Sequence, residues 1–278
     1  MNDTQTRERE LSAEARGVAP GRGRLEGRRI LVVGGGQADH GGDDERMPGN
    51  GRAISVLAGR EGARVVVADI ARDSAEETAQ RVRAEGADAF SVAGDATDES
   101  DVHRILDESV TALGGLDGIV MNVGIDGGHY LAGTSLEQWE RVFAVNARTH
   151  FLGLKYGLPL LAEGGAAVLM SSTSAFSASG AVPAMSASKA ALEGLRNHAA
   201  MENAARGVRC NIVAPGLIDT PLGLSGGRKR ENRNNIAIPM GRRGTPWDVA
   251  YAVVWLLSGE SSYVTGQTLI VDGGRLMR

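Results

Sequence analysis

The sequence is poor in cysteine and lysine and has no long apolar run. Its one cysteine, Cys210, cannot form a disulfide within the chain and suits a reducing compartment. No apolar stretch is long enough to span a membrane, and the first 28 residues lack the apolar centre of a signal peptide. These absences predict a cytoplasmic protein without a membrane segment.

Net charge is also small. A formal charge of −4 gives no indication of a nucleic acid or an anionic membrane as partner. The five histidines are scattered without the spacing of metal ligands, so no metal site is predicted. Only three of the 30 Lys and Arg residues are lysines, and Lys189 is one of them. An ammonium group can be desolvated, and its pKa shifted, more readily than a guanidinium group.

Apolar strand-like runs alternate with amphipathic helical segments from residue 29 onward. This pattern predicts an α/β fold: a doubly wound parallel sheet of the Rossmann type, about seven strands, in a single domain over residues 29–278. Residues 1–28 are polar and charged without sustained apolar periodicity, and they are predicted to form a mobile arm.

The first strand–helix–strand unit has the order of a nucleotide-binding motif. Residues 29–33 form an apolar run, glycines follow, a helix opens near residue 50, and residues 64–69 form a second strand that ends in Asp69. Glycines let the backbone approach a pyrophosphate, and the helix N-terminus offers it free N–H groups. An acid at the end of the second strand binds ribose hydroxyls and repels a 2′-phosphate, so Asp69 favours NAD over NADP.

Three positions later in the chain have the spacing of a catalytic motif. Ser172 follows an apolar strand, and positions 185 and 189 lie one turn apart on a helix that opens at Pro183. In this spacing the chain resembles the short-chain dehydrogenase/reductase family, which carries a Ser and then Tyr-x-x-x-Lys. Met185 stands at the Tyr position, and a thioether has no proton to give.

The resemblance covers residues 29–274 and implies roles for several residues. Ser172 would bind the substrate oxygen, Lys189 would hold the nicotinamide ribose, and Asn146 would hold a water that links the lysine to solvent. Each has an ordinary alternative: a loop hydroxyl, a solvated helix lysine, and a cap in an irregular helical turn. His129 and Tyr130 are the nearest replacement proton donors by family position, although loop residues of this kind are more often simple surface residues.

The resemblance also implies a set of residues that bind NAD. They lie in the glycine-rich turn, at strand ends and in a Pro-Gly segment: Gly35, Gly49, Gly51, Asp69, Asp95, Asn122, Gly124, Lys189, Pro215 and Gly216. Gly35 and Gly49 are fourteen positions apart rather than four, so about ten residues are inserted within 37–48. Closing the longer loop costs only ~1 kcal/mol. The inserted acids Asp39, Asp43, Asp44 and Glu45 would either oppose a bound pyrophosphate or project into solvent.

Three classes of function are compatible with these features. The first is an NAD(H)-linked oxidoreductase that acts on a secondary alcohol or ketone, a small-molecule substrate, with an altered proton relay. The others are a non-redox enzyme on the same scaffold, such as a dehydratase, isomerase or cyclase, and a non-catalytic partner subunit. The resemblance further implies a lid over residues 217–241 and a homotetramer. The pairing helices, 135–161 and 183–205, carry apolar residues that would be poorly covered in a monomer: Leu152, Leu192 and Leu195.

Overall fold

A single parallel sheet of seven strands runs through the centre of the molecule. The structure, a computed structural model, describes residues 11–37, 47–177, 181–223 and 237–277. The strands are β1 (Arg29–Val33), β2 (Arg64–Asp69), β3 (Ala89–Ala93), β4 (Leu116–Met121), β5 (Leu161–Met170), β6 (Arg209–Pro215) and β7 (Thr268–Val271). Their order in the sheet is β3-β2-β1-β4-β5-β6-β7, and every neighbouring pair is parallel.

Helices cover both faces of the sheet. They are α1 (Asn50–Arg60), α2 (Arg72–Ala84), α3 (Glu99–Leu113), α4 (Leu136–Phe143), α5 (Thr149–Gly157), α6 (Pro183–Asn203) and α7 (Pro246–Leu257). Helices α1, α2 and α7 pack on one face, and α3, α5 and α6 pack on the other. The strands are rich in Val, Ile and Ala because both of their faces are buried. The predicted doubly wound sheet and single domain are confirmed.

The start of the chain differs from the prediction. Residues 11–28 are not a mobile arm, because they pack against the end of α1. The Leu25 side chain is fully buried, and the Arg24 guanidinium donates to the Glu61 carboxylate at 2.7 Å. The Glu61 side chain is itself completely buried, so this ion pair fixes the segment to the domain. A segment without apolar periodicity is therefore held by buried residues and by bonds to the end of α1. Ala15 and Ala19 are also buried, and the Arg60 guanidinium donates to the Gly17 carbonyl at 2.7 Å. Residues 1–10 lie outside the described part of the chain.

The order of the strands also fixes where a ligand can bind. The chain starts in the middle of the sheet at β1, builds outward to β3, and then returns to β4 on the other side of β1. The loops after β1 and β4 therefore diverge and leave a crevice at the carboxyl ends of these strands, which is where open α/β sheets bind ligands. No helix among the described residues is long and apolar enough to cross a membrane.

Candidate active site

A cleft of about 370 Å³ lies at the carboxyl ends of the central strands. Most of the residues predicted from the sequence line it: Gly49, Gly51, Asp69, Asn122, Gly124, Ser172, Met185, Lys189, Pro215 and Gly216. Residues 220–223, at the start of the predicted lid, complete one wall. The middle of that lid, residues 224–236, lies outside the described residues. The fold thus gathers into one cleft residues that are up to 167 positions apart in the sequence.

Five of the residues singled out from the sequence do not line this cleft. Gly35 packs beneath the turn, where an added Cβ would lie 2.7 Å from Val67. The Asp95 carboxylate accepts from the backbone N–H and the hydroxyl of Thr97, both at 2.8 Å. Three others also lie away from the lining: Asn146, and the two loop residues His129 and Tyr130. The Tyr130 side chain is 64% exposed and contacts the His129 ring, so neither residue stands at the cleft as a replacement donor.

The glycine-rich turn is held in a shape that only glycine permits. Gly34 has φ +76°, the left-handed region that favours glycine. An added Cβ on Gly51 would lie 2.0 Å from the Gly34 carbonyl oxygen. The Asn122 side chain donates to that same carbonyl at 2.8 Å and joins the end of β4 to the turn. The result is a narrow cradle of backbone beside the first turn of α1.

The cradle closes in spite of the insertion. The Gly49 N–H donates to the Gln37 side-chain oxygen at 2.9 Å, and the Gln37 N–H donates to the Ser74 hydroxyl at 2.6 Å. The two ends of the insertion are therefore adjacent, and α1 begins at Asn50 as it would after a short turn. Residues 38–46, with the acids at 39, 43, 44 and 45, lie outside the described residues.

Asp69 is the last residue of β2 and lies at one end of the cleft. Its carboxylate accepts from the Gly36 N–H and from the Ala71 N–H, both at 3.0 Å. One bond joins it to the glycine turn and the other orients it locally. A carboxylate can accept about four hydrogen bonds, so these two leave lone pairs that can accept from sugar hydroxyls.

Lys189 lies at the opposite end of the cleft, deep in the protein. Its ammonium group donates to the carbonyls of Met170 at 2.8 Å and Val123 at 3.0 Å, which end β5 and follow β4. No acidic side chain among the described residues forms an ion pair with it. Burial lowers the pKa of Lys189 to about 7. The solvated-lysine alternative is therefore wrong, because the side chain is only 3% exposed.

Asn146 organises the wall beside Lys189. It sits in a π-helical turn, Ala144–Arg148, that joins α4 to α5, where the sequence predicted one unbroken helix. Its amide accepts from the Ile125 N–H at 2.8 Å and donates to the Ile125 carbonyl at 2.9 Å and to the Ser188 hydroxyl at 3.1 Å. Single π turns are rare in helices and frequent at functional sites. The turn aims the asparagine at the loop after β4.

Position 185 carries no hydroxyl group, although the family motif has a tyrosine there. The Met185 thioether lines the cleft on the first turn of α6, with Ser172 and Lys189 on the same wall. The Ser172 hydroxyl accepts from the Ser174 N–H at 3.2 Å, which leaves its proton for another acceptor. Met185 is half-buried rather than packed in the core.

A buried histidine beside the lysine was missed in the sequence. His150 is fully buried, and burial followed by the nearby Lys189 charge lowers its pKa well below the usual range. The Thr149 hydroxyl donates to the Val145 carbonyl at 2.7 Å and lies 3.1 Å from His150 Nδ1. The imidazole also interacts with the backbone of Met121 and Met170. The sequence signal that could have identified His150 was its position one helical turn after Asn146.

Asp126 was also missed. It lines the cleft two residues after Gly124, on the loop that leaves the carboxyl end of β4. Loops at this edge of a parallel sheet carry the ligand-binding residues of such folds. That rule alone would have selected Asp126 from the sequence. No group of acidic, His or Cys residues among the described residues could hold a metal ion.

The buried lysine makes stability depend on pH. The folded pKa of about 7 lies below the ordinary value near 10.4, so between these pH values the unfolded chain binds one more proton. The free energy of unfolding should therefore rise with pH, by up to roughly 1.4 kcal/mol per pH unit. Lys189→Met removes this contribution. Urea unfolding should show wild type gaining stability relative to the variant from pH 7 to pH 9.

The matched control for this prediction is Lys155→Met, because the Lys155 side chain is 45% exposed. Its stability should follow wild type over the same pH range. Parallel stability curves for wild type and Lys189→Met would show that the lysine is not desolvated.

Known proteins resemble the chain over nearly its whole length. A family profile described as enoyl-(acyl carrier protein) reductase matches residues 47–275. The short-chain dehydrogenase/reductase eriH of Hericium erinaceus is 38% identical over 82% of this chain and 94% of its own length. The 2,5-dichloro-2,5-cyclohexadiene-1,4-diol dehydrogenase LinX of Sphingobium indicum is 32% identical over 90% and 97%. The crystal structure of levodione reductase superposes with a TM-score of 0.81 and 29% identity, over 90% of this chain and 98% of that one.

Proposed function

The chain belongs to the short-chain dehydrogenase/reductase family, and from this premise we propose an NAD(H)-linked oxidoreductase that acts on a secondary alcohol or ketone. The observation that carries the proposal is the cleft itself. It has a glycine cradle and an acid at one end, and a desolvated lysine and a serine at the other. One relative is named as the dehydrogenase of a cyclohexadiene diol, which supports a cyclic alcohol as substrate.

The residues of the cradle fit a dinucleotide. A Cβ at Gly51 would fill the space between the turn and Asn122, so the backbone there is kept open for a close approach. Gly49, Gly51 and the N-terminus of α1 would bind the pyrophosphate, and Asp69 would bind the adenosine ribose and disfavour a 2′-phosphate. The bound nicotinamide would supply the hydride-transfer chemistry.

The other end of the cleft would bind the nicotinamide ribose and the substrate. Lys189 would hold the ribose, and its ammonium would stabilise negative charge that develops on the substrate oxygen. The Ser172 hydroxyl would donate to that oxygen. Residues 217–241 would form a lid over the substrate, and residues 220–223 already line the cleft. The proton relay would have no tyrosine, because Met185 occupies that position.

Titration of the purified protein with NADH and NADPH, followed by nucleotide fluorescence, tests the proposal. NADH should bind more tightly than NADPH because Asp69 opposes a 2′-phosphate. The variant Asp43→Asn/Asp44→Asn/Glu45→Gln, titrated beside it, measures the effect of the insertion: tighter binding would place its charges near the pyrophosphate. Absence of NADH binding in both proteins would refute an NAD(H)-linked function.

A non-redox enzyme on the same scaffold is the second candidate, and Met185 is the observation that favours it. A non-redox reaction, such as a dehydration, isomerisation or cyclisation, does not need the tyrosine hydroxyl that exchanges a proton with the substrate oxygen during hydride transfer. Tight dinucleotide binding without NADH consumption against a panel of secondary alcohols and cyclic ketones would make this candidate the better one.

We also propose a homotetramer that pairs through the helical faces at 135–161 and 183–205. The leucines that suggested this pairing do not support it, because Leu152 and Leu192 are already buried within one chain and Leu195 is partly buried. Other apolar residues of these helices are exposed instead, and they carry the proposal: Leu136 at 75%, Phe151 at 47% and Met201 at 69%. Such surface is characteristic of subunit contacts.

Light scattering at micromolar concentration should give about four times the mass of the chain. The variant Phe151→Glu/Met201→Glu should dissociate the assembly, while Tyr263→Glu, a fully exposed residue on another face, should not. A monomeric wild type would contradict the proposal.

A further inference from the structure

The proton of the proposed reaction needs a carrier that the missing tyrosine does not supply. Among the described residues that line the cleft, three carry a carboxylate or an ammonium group: Asp69, Asp126 and Lys189. Asp69 lies at the end of β2, next to the glycine turn. We propose that Asp126 is the catalytic acid and base that replaces the hydroxyl absent at position 185. This inference rests on the proposed function and names the group that moves its proton.

The backbone places Asp126 at the substrate end of the cleft. The residue before it, Ile125, is held at both its N–H and its carbonyl by the Asn146 amide, at 2.8 and 2.9 Å. Val123 is held by the Lys189 ammonium at 3.0 Å. The loop is therefore fixed on both sides of Gly124, and an added Cβ on that glycine would lie 3.1 Å from the lysine nitrogen. Asp126 directly follows Ile125 and is half-buried.

The lysine is less able than Asp126 to exchange a proton with solvent. Lys189 directs two of its N–H groups to the carbonyls of Met170 and Val123, and it is 3% exposed. These two bonds suit a positioning role in either protonation state, because a neutral amine keeps two N–H groups. Asp126 carries its carboxylate on the loop rather than in the core. It can exchange a proton with water after each turnover because it is only half-buried.

The step balances in the direction of alcohol oxidation. The O–H bond of the substrate breaks, and its proton goes to the Asp126 carboxylate. The carbinol C–H bond breaks, and its hydrogen leaves with the electron pair to the oxidised dinucleotide of the proposed function. The C=O bond of the ketone forms. Asp126 then releases the proton to solvent, and ketone reduction reverses each transfer.

The principal test is Asp126→Asn, which keeps the shape of the side chain and removes its proton chemistry. With the best substrate from a panel of secondary alcohols and cyclic ketones, kcat should fall by roughly 10²- to 10⁴-fold. The Kd for NADH, measured by fluorescence, should stay within twofold. Asp107→Asn, an exposed carboxylate on α3, is the matched control and should leave both values unchanged.

Two rescue experiments separate proton transfer from a structural role. Added formate should restore activity to Asp126→Ala in proportion to its concentration, because a small carboxylate can occupy the space left by the side chain. In a Met185→Tyr background, Asp126→Asn should cost less than tenfold, since the tyrosine hydroxyl then offers a second route.

The outcomes distinguish this inference from the proposed function. A wild type that consumes NADH while Asp126→Asn stays within threefold of it overturns the inference alone. Loss of NADH binding in Asp126→Asn also overturns it, because the residue would then support the cofactor site. A wild type that binds NADH but turns over no substrate in the panel overturns the proposed function and this inference with it.

Discussion

Met185→Tyr is expected to raise the rate of alcohol oxidation or ketone reduction by up to roughly 10²-fold, within the range of an added general acid. The remaining partners are already in place. Ser172, position 185 and Lys189 line one cleft, and positions 185 and 189 lie one turn apart on the same face of α6. A tyrosine hydroxyl would therefore face the lysine ammonium, which would lower its pKa and favour proton transfer. Steady-state assays of wild type and variant with NAD(H) measure the effect.

The control for this gain is Val18→Tyr, which adds the same ring at a 65% exposed position of the N-terminal segment, away from the cleft and the proposed subunit contacts. It should leave the rate unchanged. If Met185→Tyr binds NADH as wild type does and neither protein turns over any substrate of the panel, the cleft has diverged from hydride transfer. The non-redox candidate would then become the better proposal.

Gly51→Ala is expected to lower the free energy of unfolding by about 2–3 kcal/mol and to weaken NADH binding at least tenfold. The added methyl would lie 2.0 Å from the Gly34 carbonyl oxygen and 2.6 Å from the Asn122 amide nitrogen. Backbone must move to relieve this contact, and the bond from Asn122 to Gly34 at 2.8 Å would be lost with it. The helix preference for Ala over Gly, about 1 kcal/mol, offsets only part of the cost. Urea unfolding and NADH fluorescence measure the two effects.

Gly49→Ala is the matched control. Gly49 has φ −69°, which alanine adopts without strain, and its added Cβ would find nothing closer than the Gly36 carbonyl oxygen at 3.9 Å. Stability should therefore be retained. Equal stability of the two variants would mean that the turn relaxes freely, which would contradict a rigid cradle.

Interactions between distant residues explain most of the differences between the expected and the observed site. The π turn at Asn146 has no local sequence signal; it is stabilised by Ile125 and Ser188, which are 21 and 42 positions away. The docking of residues 11–28 depends in the same way on Glu61. Asp95 caps the adjacent turn with its carboxylate, a contact that its place in the sequence did not indicate. Spacing along the chain cannot report any of these contacts.

The sequence by itself determined the sheet and the order of its elements, because the periodicity of apolar residues is local and strongly constrained. The resemblance of several separate motifs, in the right order along the chain, indicated the family. It also determined that the tyrosine position carries Met185, and so that the chemistry must differ. Only the tertiary structure decided which side chains line the cleft and which bonds hold them there. It buried Lys189 beneath two carbonyls, joined the ends of the insertion through Gln37 and Gly49, and brought Asp126 to the cleft that Lys189 also lines. Desolvation and loop closure arise only when distant segments meet, and for that reason they could not be predicted from the order of residues.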